Sequence, residues 1–367
     1  MDEVRLTERL IEFDTSASPG LENALDFVEG CLAGAGVDVE RRRLGVREAL
    51  VARVGSTGPH LVVNGHIDVV PGHREQFIPR IDGDRLIGRG AYDMKGALAV
   101  MILVMGDLAR LDLDTVVEFM VVPDEERSDA GPNCTEMLVE GGLRGDFVIC
   151  GEPTDLHVGV QAKGVLMLRA TVDGIAAHGS TPWLGRSAVL DGVALFQAIE
   201  TLPFASESTE LFARPSINLG RIRGGDAVNK VPDECVLDID VRYLPGQEPD
   251  EILRQIRGLG DWDVEPVLER IPAMVDPGDA FVTMLRDAAC AFEPGALTVG
   301  RDGASDAVAF LSAGVPAVEF GPRGAGHHGP DEYVDIPSLR HYRGALVEFA
   351  RRLGTPGTSI DREATTV

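Results

Sequence analysis

Five side chains in this sequence have the types and settings to hold metal ions. They are His66 in GHID, Asp93 in GRGAYDMKG, Glu126 in PDEER, Glu152 in CGEPT and His328 in HHGPDE. Each follows a strand-like run or opens a loop, and each is flanked by Gly or Pro. Imidazole nitrogen with carboxylate oxygen is a donor set suited to zinc, and also to cobalt or manganese. One bridging Asp, plus a His and a Glu for each ion, makes a two-metal site with ions about 3.5–4 Å apart. Singly, these pieces have plainer readings. A His-x-Asp is a local hydrogen-bonded pair, a Glu-Glu a solvated pair, a Gly-Glu-Pro a turn. Their recurrence at successive strand ends carries the argument.

The elements that must position these residues follow from hydrophobic patterning. Residues 2–13 and 21–34 read as helices, the second closed by Gly34 and Gly36. HLVVNGHIDVV is a strand that runs into the His-x-Asp, and 71–92 is a loop. Lys95 to Leu111 is a long apolar helix. VVEFMVVPDEE and DFVICGEPT are buried strands with acids at their carboxyl ends. Strands alternating with helices predict an α/β fold with a mostly parallel sheet, whose ligand crevice lies beyond the carboxyl ends of the strands. From about residue 164 the pattern changes to period two, in VLMLRATVDG. A helix at 186–201, two further strands and a helix at 249–258 follow. That order resembles a ferredoxin-like α+β sandwich. The expectation is a catalytic domain in two parts, 1–163 and 275–353, interrupted by an inserted domain at 164–274. A disordered tail at 354–367 is expected after it.

Composition sets the outer bounds. The 367 residues carry 34 basic and 59 acidic side chains, a net charge of −25. That argues against nucleic acid or an anionic membrane as partner, since both select basic surfaces. The longest apolar run, ALAVMILVM, is far too short to span a bilayer. The five cysteines form no CxxC pair, so neither a disulfide framework nor a zinc knuckle is indicated. The charged, amphipathic N-terminus is no signal peptide, and a cytoplasmic protein is expected. The only lysines are Lys95, Lys163 and Lys230, each within or beside one of the motif segments.

GHIDVVPG, GRGAYDMKG, PDEE, GEPT, AHGSTPWLG and HGPDEYV resemble, in order, the signatures of the M20 metallopeptidase family. The likeness is to its acetylornithine deacetylase / succinyl-diaminopimelate desuccinylase branch and runs from about residue 5 to 353. It implies a zinc-exopeptidase-like catalytic domain, an inserted lid that dimerises, and hydrolysis of the amide of an N-acyl amino acid. The alternatives are an exopeptidase of the same family acting on a small peptide and, remotely, a non-catalytic metal-binding scaffold. Carried over by position, Asp93 resembles the carboxylate that bridges two ions. His66 and Glu152 would hold one ion, Glu126 and His328 the other, with His327 a decoy. Glu125 resembles the general base. Asp68 lies two residues after His66 on the same side of a strand, where it can accept the other imidazole N–H. His178 resembles the lid histidine that steadies the oxyanion, and Asn229 and Arg242 the lid contacts to substrate. Ser305 and Asp306, in GASDA, resemble a substrate loop. The likeness frays at three places. Ala304 stands where the desuccinylase pattern has Thr, Gly324 where it has Asn, and AKG (162–164) where it has Arg-Arg-Gly.

Overall fold

The computed structural model describes residues 1–126 and 131–355. The chain divides into two units, one of residues 1–160, 275–299 and 305 onward, the other of 161–274 and 300–304. The second unit takes in 300–304 because Lys163 ties that segment to it. The Lys163 main-chain N–H donates to the Arg301 carbonyl at 3.2 Å, and its ammonium meets Asp302 at 2.8 Å. Of the expected tail, residues 356–367 lie outside the described residues.

Four parallel strands form the middle of the first unit's sheet, in the order Val116–Val122, His60–His66, Phe147–Cys150, Ala317–Glu319. Antiparallel strands flank them: Arg47–Val54 and Asp38–Leu44 beside the first, Val158–Ala162 beside the last. VVEFMVV is buried along its whole length. Such an unbroken apolar run is what a strand covered on both faces requires. The pleat sends alternate residues to opposite sides. Val62, Met120 and Val148 pack with Phe310, under the helices Cys134–Glu140 and Ala307–Ser312. On the other side Phe147 stacks on Phe281 at 5.1 Å and meets Phe349 at 5.8 Å. Those rings belong to the helices Ala280–Cys290 and Ile336–Leu353. Helix Gly96–Leu108 is buried except at Leu103 and Asp107, as its composition predicts. The result is a mixed α/β unit with helices on both faces. Among the described residues, no helix is long and apolar enough to cross a membrane.

A second, smaller sheet in this unit joins Arg80–Asp82, Arg85–Ile87, Tyr333–Asp335 and Gly324–Ala325, all antiparallel. It sets the loop that leads to Asp93 beside the loop that carries His328.

The second unit is a four-stranded antiparallel sheet in the order Ser216–Gly224, Glu234–Tyr243, Gly164–Asp173, Asp263–Arg270. Helices Ala188–Ile199 and Pro249–Arg257 supply Leu195, Ile199, Ile252 and Ile256 to its core. The alternation read in VLMLRATVDG is the strand's one-sided burial.

Candidate metal centre

Three of the central strands end in the residues singled out above. His66 is the last residue of its strand, Glu125 and Glu126 follow Val122, and Glu152 follows Cys150. The imidazole of His66 is 1% exposed. Its Nε2 lies 3.1 Å from Asp93 Oδ1 and 4.0 Å from Glu152 Oε1. On the far side of Asp93, His328 Nε2 lies 3.4 Å from Asp93 Oδ2 and 2.9 Å from Glu126 Oε1. Two groups of donors result: His66, Asp93 and Glu152, and Asp93, Glu126 and His328. Within each group the donor atoms lie within 4.8 Å of one another. Asp93 is common to both. His328 reaches its position with φ of 61°, a left-handed backbone for which His is among the better suited non-glycine residues. His327 belongs to neither group; its ring rests 6.0 Å from that of Tyr92.

The electrostatics are those of a crowded acidic pocket. Burial pushes the Glu125 carboxyl well up, opposed by His66 and reinforced by Asp306, Glu126 and Asp93. Burial and then Asp93 push Glu152 up as well. Asp93 moves the other way: burial would raise it, but hydrogen bonds from His328 and His66 hold it well below the ordinary carboxylate range. His328 is raised to about 10 by Asp93 and Glu126. Carboxylates gathered away from water are stable as anions when paired or bound to cations. Mixed imidazole and carboxylate donors in two triads sharing one Asp fit a pair of divalent ions.

Asp68 stands beside His66, as its spacing predicts, and its carboxylate has further partners. The hydrogen bond of His66 Nδ1 goes to the main-chain carbonyl of Asp68, at 3.0 Å, while the carboxylate stands 3.6 Å away. The carboxylate instead accepts the main-chain N–H groups of Glu125, at 3.3 Å, and Glu126, at 3.0 Å. It therefore holds the backbone of both glutamates at once.

Asp306, expected at a substrate loop, is placed differently. It is buried, and it accepts from Asn64 Nδ2 at 3.0 Å, Asn133 Nδ2 at 2.7 Å and Thr135 Oγ1 at 2.6 Å. With both oxygens taken, it braces the helix start at Cys134 and adds negative charge near Glu125. Ser305 is buried too, its Oγ accepting from the Ala307 N–H at 3.3 Å.

Reasoning from the sequence missed Glu332. Its buried carboxylate accepts the N–H groups of Gly90, Tyr92 and Asp93, each at 3.0 Å, and pairs with Arg89 at 2.8 Å. The residue lies in HGPDEYV, but nothing in its spacing tells which backbone it meets. Lys95, also buried, donates to the Phe13 carbonyl at 2.8 Å, and burial lowers its ammonium to about 7. Where the desuccinylase pattern has Asn, a Cβ at Gly324 would lie 2.3 Å from the Tyr333 carbonyl and 2.5 Å from the Tyr92 ring. No side chain fits there.

His178, Asn229 and Arg242 lie in the second unit. The exposed His178 ring bonds the Ser180 hydroxyl at 2.8 Å. The Asn229 carbonyl accepts from Gly179 N–H at 2.7 Å, which fixes the two loops together. Arg242 Nε contacts both oxygens of Asp240, at 2.9 and 3.1 Å. Lys230 pairs with Asp226 and Asp233.

Comparison with known proteins gives this geometry a context. A model of "Peptidase family M20/M25/M40" matches residues 62–352. A succinyl-diaminopimelate desuccinylase from Caulobacter sp. is 28% identical over 372 residues, covering 93% of each chain. A probable carboxypeptidase from Aspergillus terreus is 33% identical over 227 residues, covering 58% of this chain and 52% of its own. Among solved structures, an M20 family metallo-carboxypeptidase from Sulfolobus solfataricus superposes with a TM-score of 0.78 at 18% identity, covering 96% of this chain and all of its own.

Proposed function

The chain belongs to peptidase family M20/M25/M40, hydrolases of amide bonds, and from that premise we propose that its substrate is an N-acyl amino acid. The observation that carries the reading is the pair of donor triads that share Asp93, with Glu125 alongside. We assign His66 and Glu152 to one divalent ion, Glu126 and His328 to the other, and Asp93 to both. Zinc suits the donors best, with cobalt or manganese as alternatives. Two such ions supply a water of lowered pKa and an electrophile for the scissile carbonyl.

The chain's own residues do the rest. Glu125 takes the proton of the attacking water and returns it to the departing amine. Asp68, by gripping the amides of Glu125 and Glu126, keeps the base and its neighbouring ligand in fixed relation. In the second unit we assign His178 to the developing oxyanion and Asn229 to the substrate. Asp240 anchors Arg242 through Nε, which leaves the guanidinium's terminal nitrogens for a substrate carboxylate. Gly324 and Ala304 replace an Asn and a Thr of the desuccinylase pattern, which supports acyl contacts different from those of that enzyme.

Dimerisation through the second unit is supported by its exposed apolar side chains, among them Trp183, Leu184 and Leu190, each 70% exposed or more. All five cysteines are free, which fits the reducing cytoplasm as the compartment.

A second reading is an exopeptidase with the same centre, favoured by the carboxypeptidase-named relative over half of the chain. A panel of N-acetyl and N-succinyl amino acids against dipeptides, with zinc or cobalt added, decides by kcat/KM. Preference for N-acyl amino acids supports the first reading and preference for dipeptides the second. Hydrolysis of none with either metal overturns both.

A further inference from the structure

The two loops that complete the second donor triad are far apart in sequence and yet are stitched together by one buried ion pair. Glu332 accepts three main-chain N–H groups of the loop that ends in Asp93. Its own main-chain carbonyl accepts from Gly88 N–H at 3.0 Å. Arg89, from that same loop, spans back. Its Nη1 donates to Glu332 Oε2 at 2.8 Å and its Nη2 to the His328 main-chain carbonyl at 3.3 Å. Both ionic side chains are almost wholly buried, at 4% and 1% exposure. The carboxylate faces four donors and the guanidinium holds the backbone of a candidate ligand.

We propose that the Glu332–Arg89 pair is a positioning device that sets the separation of Asp93 and His328, and so tunes the ion held by Asp93, Glu126 and His328. It rests on the two-ion reading above. Glu332 is in neither donor group; it acts through the backbone of Asp93 and, by way of Arg89, through that of His328. His66 and Glu152 sit at the ends of strands that this clasp does not contact. One ion thus keeps two of its three ligands on independent supports. The other has two of its three ligands, Asp93 and His328, held by the clasp. A buried carboxylate with four donors cannot be replaced by an amide without setting N–H against N–H. Outer partners of this kind change metal affinity by about 10–100-fold when removed.

The test is a calorimetric titration of the metal-free full-length protein with Co2+, read together with the cobalt absorption spectrum. For the wild type, two binding steps are expected. Fewer than two overturns the two-ion reading itself. For Glu332→Gln, the expected result is one step within about threefold of its wild-type affinity and a second weakened by about 10–100-fold. Two steps like those of the wild type, or an equal loss in both, overturns the proposal. A general loss of structure would produce the equal loss. Should Glu332→Gln not fold, Arg89→Lys decides by the same criterion. It keeps the positive charge and the three amide bonds to Glu332, and removes the fork that also reaches His328.

Discussion

Replacing Asp68 with Asn isolates what that carboxylate does. The two side chains have the same shape, but Asn offers one acceptor oxygen where Asp offers two. In the structure the two oxygens accept the amides of Glu125 and Glu126 separately. The variant can therefore keep one of these bonds and must turn its own N–H2 toward the other. A hydrogen bond to a charged acceptor contributes about 1.5–3 kcal/mol. If that whole amount is lost from the transition state, kcat falls about 10–150-fold, at about 1.36 kcal/mol per decade. The bond from His66 Nδ1 goes to the Asp68 carbonyl, which the substitution leaves in place. Affinity for the ion bound by His66, Asp93 and Glu152 should therefore change less than about threefold on the same scale. Steady-state kinetics at saturating zinc, with a metal titration of the same preparation, read both quantities. A large loss of affinity at that ion with kcat preserved would refute the reasoning. It would mean that the carboxylate serves the imidazole after all.

Other outcomes follow from the same geometry. Glu125→Gln should lower kcat by about 10²–10⁴-fold while leaving two ions bound, because its main-chain link to Asp68 survives. A kcat near that of the wild type removes Glu125 from the role of base. Leu190→Asp should convert a dimer to a monomer in sedimentation equilibrium, since Leu190 lies exposed on the second unit; a monomeric wild type contradicts the dimer. Burial raises the Tyr243 hydroxyl to about 12, and the hydroxyl donates to the Arg270 carbonyl at 3.0 Å. A raised pKa means that the folded state keeps its proton longer than the unfolded chain. The contribution is thus complete below about pH 10 and is lost as pH rises toward 12. Denaturation at pH 9 and pH 11 should show that loss in the wild type and a smaller one in Tyr243→Phe; equal losses would count against it.

Much of this fold was readable from periodicity. The apolar runs 116–122 and 147–150 lie in the parallel core, and the alternation in 164–173 is a one-sided strand. Donor residues at strand ends were readable too, because a strand end fixes where its next residue points. What could not be read is anything that depends on which loops become neighbours. Glu332 meets Gly90 only because the small sheet pairs Arg85–Ile87 with Tyr333–Asp335. Asp306 is expected at a substrate loop because GASDA resembles one of the family's, and that likeness says nothing of its neighbours. Its partners Asn64, Asn133 and Thr135 come from three other segments, and they bury it. Asp68 shows a subtler limit. Its side chain does stand near His66, but the strand ends at His66, so no pleat places it, and the sequence does not show that two amides bind the carboxylate.

The shared position of Asp93 also has a history written along the chain. The donors His66, Asp93 and Glu152 are all present once residue 152 has left the ribosome. His66 and Glu152 follow two paired strands, His60–His66 and Phe147–Cys150, whereas Asp93 lies in the segment that leads into helix Gly96–Leu108. The other triad waits for His328, which arrives after the whole inserted unit. Because domains generally fold as units, the unit that carries both donor sets is complete only after the inserted unit has been made. Asp93 is common to both donor sets, so neither has its full backbone support until the returning segment lays Glu332 against the loop before Asp93.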